Sequence, residues 1–148
     1  MAILSCELCS LPGGEVFWED ELCRVVLVQG DDGRAHPGLC RVIWRSHVAE
    51  MTDLAAADRQ HLMGVVFATE AALRRLCTPH KINLASLGNL VPHVHWHVIP
   101  RYTDDAHFPK PIWAAALRDA PPSHKAPTLS DLSRTIATLL SGTPVSSS

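Results

Sequence analysis

Apolar and polar positions alternate over much of the first third of the chain, which is the pattern of strands. Residues 15–29 predict two strands, with a polar bend at Glu19, Asp20 and Glu21. A long turn is expected over residues 30–38, followed by a third strand over residues 39–44. This part of the chain therefore predicts a hairpin extended by one more strand.

The pattern then changes to apolar positions three and four residues apart, which predicts one buried helix face. We expect this helix to begin at Thr52 or Asp53 and to end at Thr78, before Pro79. Its predicted buried stripe consists of Leu62, Val65, Val66, Thr69, Leu73 and Leu76.

Two further strands are predicted after the helix, over residues 81–87 and 93–99, with the second ending at Pro100. The proline-rich segment 102–127 is expected to wrap the surface without regular structure, and residues 128–141 to form a short helix capped at Thr128 or Ser130. These elements predict one α+β domain over residues 1–148, with a mainly antiparallel five-stranded sheet, one long helix and a C-terminal helix.

Composition narrows the classes of function. The chain has 148 residues, of which 47% are hydrophobic and 19% charged, as expected for one globular domain. Its formal net charge of -2 gives no electropositive field for nucleic acid, so no nucleic-acid partner is expected. No apolar run is long enough for a membrane span and no secretory signal is recognisable, so we predict a cytoplasmic protein without a membrane partner.

The candidate chemistry centres on H-V-H-W-H-V-I, residues 93–99. In a strand, His93, His95 and His97 would project from one face, while the residues between them point into the core. Alternating imidazoles can ligate a transition metal, or one of them can attack phosphorus while its neighbours bind phosphate oxygens. The spacing alone does not separate these two chemistries.

The segment H-V-H-W-H-V-I-P-R resembles the signature of the histidine triad (HIT) family, in which apolar residues separate three histidines. The segment P-G-L-C-R-V-I-W-R-S-H-V, residues 37–48, is similar to the family's Pro-Gly, apolar strand and histidine before a long helix. The resemblance covers roughly residues 6–101 and implies a HIT-like fold and a homodimer.

The resemblance also implies roles for the three histidines. His95 would be the nucleophile that forms a nucleotidyl-histidine intermediate, and His97 would hold phosphate oxygens. The backbone carbonyl of His93 would orient the ring of His95, because a nucleophilic imidazole needs a fixed tautomer. The implied activity is that of a nucleotidyl hydrolase or transferase, which cleaves a dinucleoside polyphosphate or a nucleoside phosphoramidate at the α-phosphorus without an organic cofactor.

Three polar side chains are candidates for binding this nucleotide substrate. The resemblance places Asn89 and Asn83 near positions where relatives contact phosphate, and Gln29 near a ribose contact that Asp31 or Asp32 could share. Asparagine is also typical of turns and strand ends, and G-D-D-G is typical of a simple turn. Both interpretations remain open at this point.

The cysteines suggest a second site. Cys6 and Cys9 lie close enough in C-E-L-C to ligate one tetrahedral ion, or to remain free thiols, and the odd total of five cysteines does not favour a disulfide framework. In some relatives such a knuckle pairs with two histidines, which here are His47 and His93. The resemblance thus implies a structural zinc site that ties residues 1–14 to the sheet.

Three functions remain in competition. The chain is an enzyme with covalent chemistry at one imidazole, a non-catalytic nucleotide-binding or zinc-stabilised interaction module, or a metalloenzyme whose histidine row binds the catalytic ion. The complete apolar pattern and the central histidine favour the first. For two residues near the row, we expect Arg101 to be solvated or to meet phosphate, and Trp113 to pack in the core or close over the site.

Overall fold

A single antiparallel sheet organises the computed structural model, which describes residues 5–119 and 123–142. Its five strands lie in the order β1-β2-β3-β5-β4, so that β5 sits between β3 and β4. This confirms the predicted α+β class. The strands are β1 Glu15–Glu19, β2 Cys23–Leu27, β3 Cys40–Trp44, β4 Lys81–Ala85 and β5 His95–Arg101.

Within the described residues, four α-helices and one 3-10 turn connect and cover these strands. They are α1 Glu7–Ser10, α2 Gly30–Ala35, the 3-10 turn Met51–Asp53, α3 Ala56–Cys77 and α4 Leu129–Leu140. Thr128 caps α4 by accepting a hydrogen bond from the backbone N–H of Asp131 at 3.1 Å. The predicted stripe of α3 is buried except for Leu76, which is half-buried.

The main core lies between one face of the sheet and the two long helices. Cross-strand neighbours Val25 and Val42 are fully buried on this face, as is Val98 of β5. They pack in one cluster with Leu62 of α3 and Leu132 of α4. The two helices cover this face of the sheet, and the side chains of alternate positions project from the opposite face.

The fifth strand begins two residues later than its pattern predicts. His93 and Val94 precede β5 because their backbone N–H groups donate to the carbonyls of Val91 and Val48, at 2.8 Å each. Val94 is still hydrogen-bonded to the end of β3, since the N–H of Trp44 donates to the carbonyl of Val94 at 3.1 Å. His93 is therefore turned out of the row that an ideal strand would give it.

The long turn expected over residues 30–38 contains the short helix α2 instead. Gly30 takes a φ of +76°, a left-handed conformation that redirects the chain before the helix. Asp31 and Asp32 then occupy the first turn, where carboxylates favour the positive end of a helix. The fourth strand also ends earlier than predicted, at Ala85 rather than at residue 87.

The segment after β5 forms no helix or strand in residues 102–119 and 123–127, as predicted. Of the predicted knuckle, residues 1–4 lie outside the described part of the chain, as do residues 120–122 of the wrap and residues 143–148. Within the described ranges, no helix combines the length and apolar character that crossing a bilayer requires.

Candidate active site

The face of the sheet opposite the main core carries two of the three alternating histidines. His95 and His97 project from β5, and their partners on β3 are Ile43 and Arg41. The two imidazoles are buried, at 8% and 7% exposure, and their ring centres are 5.0 Å apart in an edge arrangement. The alternation of the strand thus brings these two rings together.

The ring of His95 is held by the backbone of His93. Its Nδ1 lies 2.6 Å from the carbonyl oxygen of His93, and because a carbonyl only accepts, Nδ1 carries the proton. Nε2 of His95 therefore holds a free lone pair. Ser86 supports the same segment from β4's end, since its hydroxyl donates to the carbonyl of His95 at 2.7 Å.

Both rings are neutral at physiological pH because burial disfavours their charged forms. Burial lowers the pKa of His97 to about 4, with smaller effects of the same sign from His95 and Arg41. Burial also lowers the pKa of His95, against the opposing effect of its hydrogen bond to His93. A neutral imidazole with a fixed tautomer is the form that acts as a nucleophile.

The ring of His93 points toward the N-terminal cysteines instead of along the row. Its Nδ1 lies 3.5 Å from the sulfurs of Cys6 and Cys9, and its Nε2 donates to the carbonyl oxygen of Trp44 at 2.5 Å. Both ring nitrogens are engaged away from His95. Among the described contacts, His93 meets the row through its backbone carbonyl, which accepts from His95.

Cys6, Cys9, His47 and His93 form a group that could hold a metal ion, with ligand atoms within 4.8 Å of one another. Nδ1 of His47 lies 3.5 Å from the sulfur of Cys9. Metal–sulfur bonds of about 2.3 Å and metal–nitrogen bonds of about 2.0 Å at a tetrahedral ion separate sulfur from nitrogen by about 3.5 Å. The spacing of the group therefore fits a tetrahedral ion. Because Nε2 of neutral His93 donates to the carbonyl of Trp44, its Nδ1 is unprotonated and available for ligation.

The remaining two histidines of the row are not part of such a group. Among residues 5–119 and 123–142, no cluster of three or more histidine, cysteine or carboxylate ligands at metal-binding distances includes His95 or His97. The geometry gives no support to a catalytic ion held by the histidine row.

A solvent-open cavity of about 450 Å³ borders the histidine face at Arg41, whose strand partner is His97. Its lining includes Arg41 of β3, Gln29 and the two carboxylate residues of α2, Asp31 and Asp32. Its volume falls in the range of small-molecule sites. Gln29, predicted as a ribose contact, is exposed at the edge of α2, and its amide donates to the carbonyl of Leu27 at 3.2 Å.

Asn83 lies on β4 and is fixed by a buried ion pair. Its side-chain oxygen accepts from Arg101 at 2.8 Å, and Arg101 also makes a two-point contact with Asp105 at 2.8 and 3.1 Å. Burial would raise the pKa of Asp105, but hydrogen bonds from Arg101 and from two backbone N–H groups lower it below its usual range. Arg101 is 2% exposed, so it is not a solvated charge, and its guanidinium also donates to the carbonyl of Lys110 at 2.7 Å.

The predicted phosphate contact Asn89 lies in the exposed loop between β4 and β5. No hydrogen bond of its side chain joins it to a described histidine. Trp113, by contrast, does approach the row, because its ring centre lies 5.0 Å from that of His97 in an edge arrangement. Half of Trp113 is exposed, and its neighbour Ile112 packs against the small cluster of Val28, Leu39 and Ile99.

Arg41 is the residue of this site that the sequence interpretation missed. A signal for it existed, since it is the one charged residue in the otherwise apolar strand C-R-V-I-W and falls on the side opposite the core positions. Its guanidinium donates to the carbonyl of Gly13 at 2.9 Å at the rim of the cavity.

Comparisons with known proteins identify the family and the fold. The family model for the HIT domain matches residues 13–104, more than half of the chain. The solved structure of a histidine triad protein from Marinobacter aquaeolei VT8 is 26% identical with a TM-score of 0.68, over 97% of this chain and 99% of that one. A Zn-bound histidine triad family protein from Mycobacterium smegmatis shares the fold, with 20% identity and a TM-score of 0.61 over 94% and 98% of the two chains.

A protein of assigned activity is also similar over part of its length. The AP-4-A phosphorylase of Mycobacterium tuberculosis is 29% identical over 79 residues, which are 49% of this chain and 40% of that protein. The matched region thus spans less than half of either protein.

Proposed function

The chain belongs to the HIT domain family, and on that premise we propose that it is a nucleotidyl hydrolase or transferase acting through a covalent bond to His95. Its substrate is a dinucleoside polyphosphate or a nucleoside phosphoramidate, cleaved at the α-phosphorus. Family membership and the partial similarity to an AP-4-A phosphorylase support the processing of nucleotides. The choice of leaving group and acceptor goes beyond this support and belongs to the proposal.

The proposed function rests on one observation, the hydrogen bond that Nδ1 of His95 donates to the carbonyl of His93. It fixes the tautomer and leaves a lone pair on Nε2 of a neutral, buried ring, on the sheet face whose Arg41 lines a cavity of small-molecule size. An imidazole that is already deprotonated needs no separate base for the first step.

The reaction proceeds in two displacements at phosphorus. Nε2 of His95 forms a bond to the α-phosphorus while the bond from phosphorus to the leaving group breaks, and that group departs with the electron pair. The ring becomes positively charged and keeps its Nδ1 proton on the carbonyl of His93. Water or another acceptor then attacks phosphorus, loses a proton to the solvent, and returns the electron pair of the P–N bond to His95.

The other candidate residues take supporting roles in this proposal. His97, beside His95, donates one N–H to a phosphate oxygen, and His93 is a positioning residue because its carbonyl accepts from His95. Gln29 contacts the ribose from the rim of the cavity. Asn83 and the loop residue Asn89 remain candidates for phosphate contacts at the other side of β5.

The test is single-turnover chemistry with wild type and His95→Ala. Wild type mixed with labelled diadenosine tetraphosphate or adenosine phosphoramidate is expected to form an acid-labile nucleotidyl adduct, located at His95 by mass spectrometry. His95→Ala is expected to form no adduct and to lose turnover by roughly 10³-fold or more. A guanosine series run in parallel measures base preference, and added inorganic phosphate separates hydrolysis from phosphorolysis by the product released.

His61→Gln is the matched control, because His61 lies on α3 and contacts Asp20 instead of the site. It should turn over as wild type does. Tight nucleotide binding by wild type without an adduct or turnover would contradict the enzyme and favour a binding module. Turnover that survives in His95→Ala would contradict the nucleophile.

We further propose that Cys6, Cys9, His47 and His93 hold a structural zinc ion. The sulfur–nitrogen spacing of 3.5 Å and the chemistry of two thiolates with two imidazoles support it. A relative of the same fold, from Mycobacterium smegmatis, is a Zn-bound protein. Four protein ligands leave no open coordination position, so such an ion ties α1 to the segment before β5 and stabilises the carbonyl of His93 that holds His95.

Metal analysis tests this second proposal. Purified protein is expected to contain about one zinc per chain, in keeping with one four-ligand site. Cys9→Ser should lose most of the metal and have a lower Tm. Cys77→Ser alters a cysteine outside the group and should keep the zinc content and the Tm of wild type. Metal-free wild type with an unchanged Tm would contradict a structural role.

A further inference from the structure

Arg41 is a cation placed on the histidine face without an ion-pair partner. It is half-buried, and its backbone partner on β5 is His97. Among the described residues, no carboxylate lies within ion-pair distance of it. A partly buried charge without a counterion raises the free energy of the folded protein. We therefore expect an anion to bind beside Arg41.

The hydrogen bonds of its guanidinium leave donors unused. Nη1 donates to the carbonyl of Gly13 at 2.9 Å, which is the one hydrogen bond of this side chain to the part of the protein that is described. Nε is buried and has no partner there. A guanidinium offers five N–H donors in a planar fork, which suits phosphate oxygens.

The neighbouring arginines of the same face do not supply a free charge. Arg24 donates to the carbonyls of Leu8, Leu11 and Pro12, and thereby holds the N-terminal segment. Arg101 is neutralised by Asp105. Arg41 lies on the strand beside His97, so its guanidinium supplies a fixed positive charge next to the histidines.

The cavity has opposite charges at its two sides. Arg41 lies next to the histidines, whereas Asp31 and Asp32 line the part of the cavity formed by α2. Carboxylates accept hydrogen bonds from ribose hydroxyls and repel phosphate, so this polarity directs a nucleotide with its phosphate toward Arg41 and its sugar toward α2.

We propose that Arg41 binds the non-bridging oxygens of the phosphate that His95 attacks, and so selects nucleotides over nucleosides. The inference rests on the proposed function and adds a further substrate-binding residue to it. In the covalent step, negative charge moves onto the leaving group while the α-phosphate oxygens keep their charge, and a fixed cation stabilises this arrangement without transferring a proton.

Equilibrium binding of AMP and adenosine to full-length Arg41→Gln tests the proposal by calorimetry. Glutamine keeps an N–H donor that can reach toward the carbonyl of Gly13 but removes the charge. We expect AMP affinity to fall at least tenfold and adenosine affinity to stay within about twofold, since one charge-assisted contact is lost. Arg45→Gln is the matched control, because Arg45 follows the same strand but faces Glu19 and the carbonyl of Asp20.

The outcomes separate this inference from the proposed function. AMP affinity that is unchanged in Arg41→Gln, while wild type still prefers AMP to adenosine, overturns the role of Arg41 alone. If wild type binds AMP no more tightly than adenosine, and GMP no more tightly than guanosine, the result overturns both the role of Arg41 and the proposed function. If the variant does not fold, the Nε–H resonance of Arg41 in wild type decides instead: it should shift on adding AMP but not adenosine, and an unmoved resonance overturns the proposal.

Discussion

At the scale of single residues, the site depends on imidazoles that burial keeps neutral. His97 is 7% exposed, and burial lowers its pKa to about 4 from an ordinary value of 6.5. A ring of this kind can donate one proton to a phosphate oxygen and still accept from the protein. The same burial links the chemistry of the site to the stability of the fold, because the unfolded chain binds a proton that the folded chain does not.

His97→Gln should therefore change how stability depends on pH. The folded pKa lies below the unfolded one, so the contribution of His97 is fully present above pH 6.5 and is lost as the pH falls toward 4. Over that interval the free energy of unfolding of wild type should fall by up to about 1.4 kcal/mol per pH unit more than that of the variant. Urea unfolding at several pH values measures the two slopes.

Thr138→Ala serves as the control for this comparison, since it changes a position on α4 without adding or removing a titratable group. Its slope between pH 4 and 6.5 should match that of wild type. Parallel curves for wild type and His97→Gln would show that the ring is protonated as easily in the folded protein as in the unfolded one.

The sequence predicted single residues well where one local rule decides their position. Strand alternation placed His95 and His97 on one face, and the spacing of Cys6 and Cys9 indicated a pair of ligands. A pattern of apolar core positions does not single out Arg41, which is a charged residue on the opposite side of the strand. The role of Arg41 depends on which strand lies beside β3. The pairing of β3 with β5 is a long-range contact that local periodicity does not encode.

At the scale of elements, the differences between the pattern and the structure lie where the site is built. The strand pattern of residues 93–99 holds from His95 onward, but the contacts of His93 with Cys6, Cys9 and Trp44 turn its ring away. These partners are far apart in sequence, so the tertiary structure overrides the local pattern. In the same way α2 takes the place of the predicted turn. Gly30 and two aspartates begin this helix, which is too short for an apolar periodicity to reveal it.

A close approach between α2 and the end of β2 makes Gly33 a critical position. A Cβ atom at Gly33 would lie 2.2 Å from the carbonyl oxygen of Val28, which is backbone and has little freedom to move. Gly33→Ala should therefore destabilise the protein by roughly 1–3 kcal/mol, as expected for overpacking. It should also weaken nucleotide binding, because α2 carries Asp31 and Asp32 at the rim of the cavity.

Thr138→Ala provides the comparison within the same protein. Thr138 lies on α4, and its hydroxyl donates to the carbonyl of Arg134 four residues earlier in the same helix. Alanine favours a helix over threonine by up to about 0.7 kcal/mol, so this variant should be more stable than wild type or equal to it. Thermal unfolding and AMP binding distinguish the two variants, and a Gly33→Ala protein as stable as Thr138→Ala would contradict the steric argument.

At the scale of the whole molecule, the sheet order leaves β4 as an edge strand beside an apolar helix surface. The outward face of α3 carries Met63 and Phe67, and Phe67 is 53% exposed. Further along α3, Glu70 and Arg74 meet the start of β4 at a shared cavity. An open strand edge next to an exposed aromatic side chain is a surface that a second copy can cover.

We therefore expect a homodimer in which two β4 edges pair and the exposed faces of α3 meet. Sedimentation of wild type should give a mass near twice 16.2 kDa. Phe67→Asp should shift the mass toward that of one chain, because a carboxylate would be buried in the interface without a partner. Leu22→Asp, an exposed apolar position in the turn between β1 and β2, should leave the mass unchanged. A wild-type mass of 16.2 kDa at micromolar concentration would instead mean that β4 remains an open edge, and would contradict the dimer.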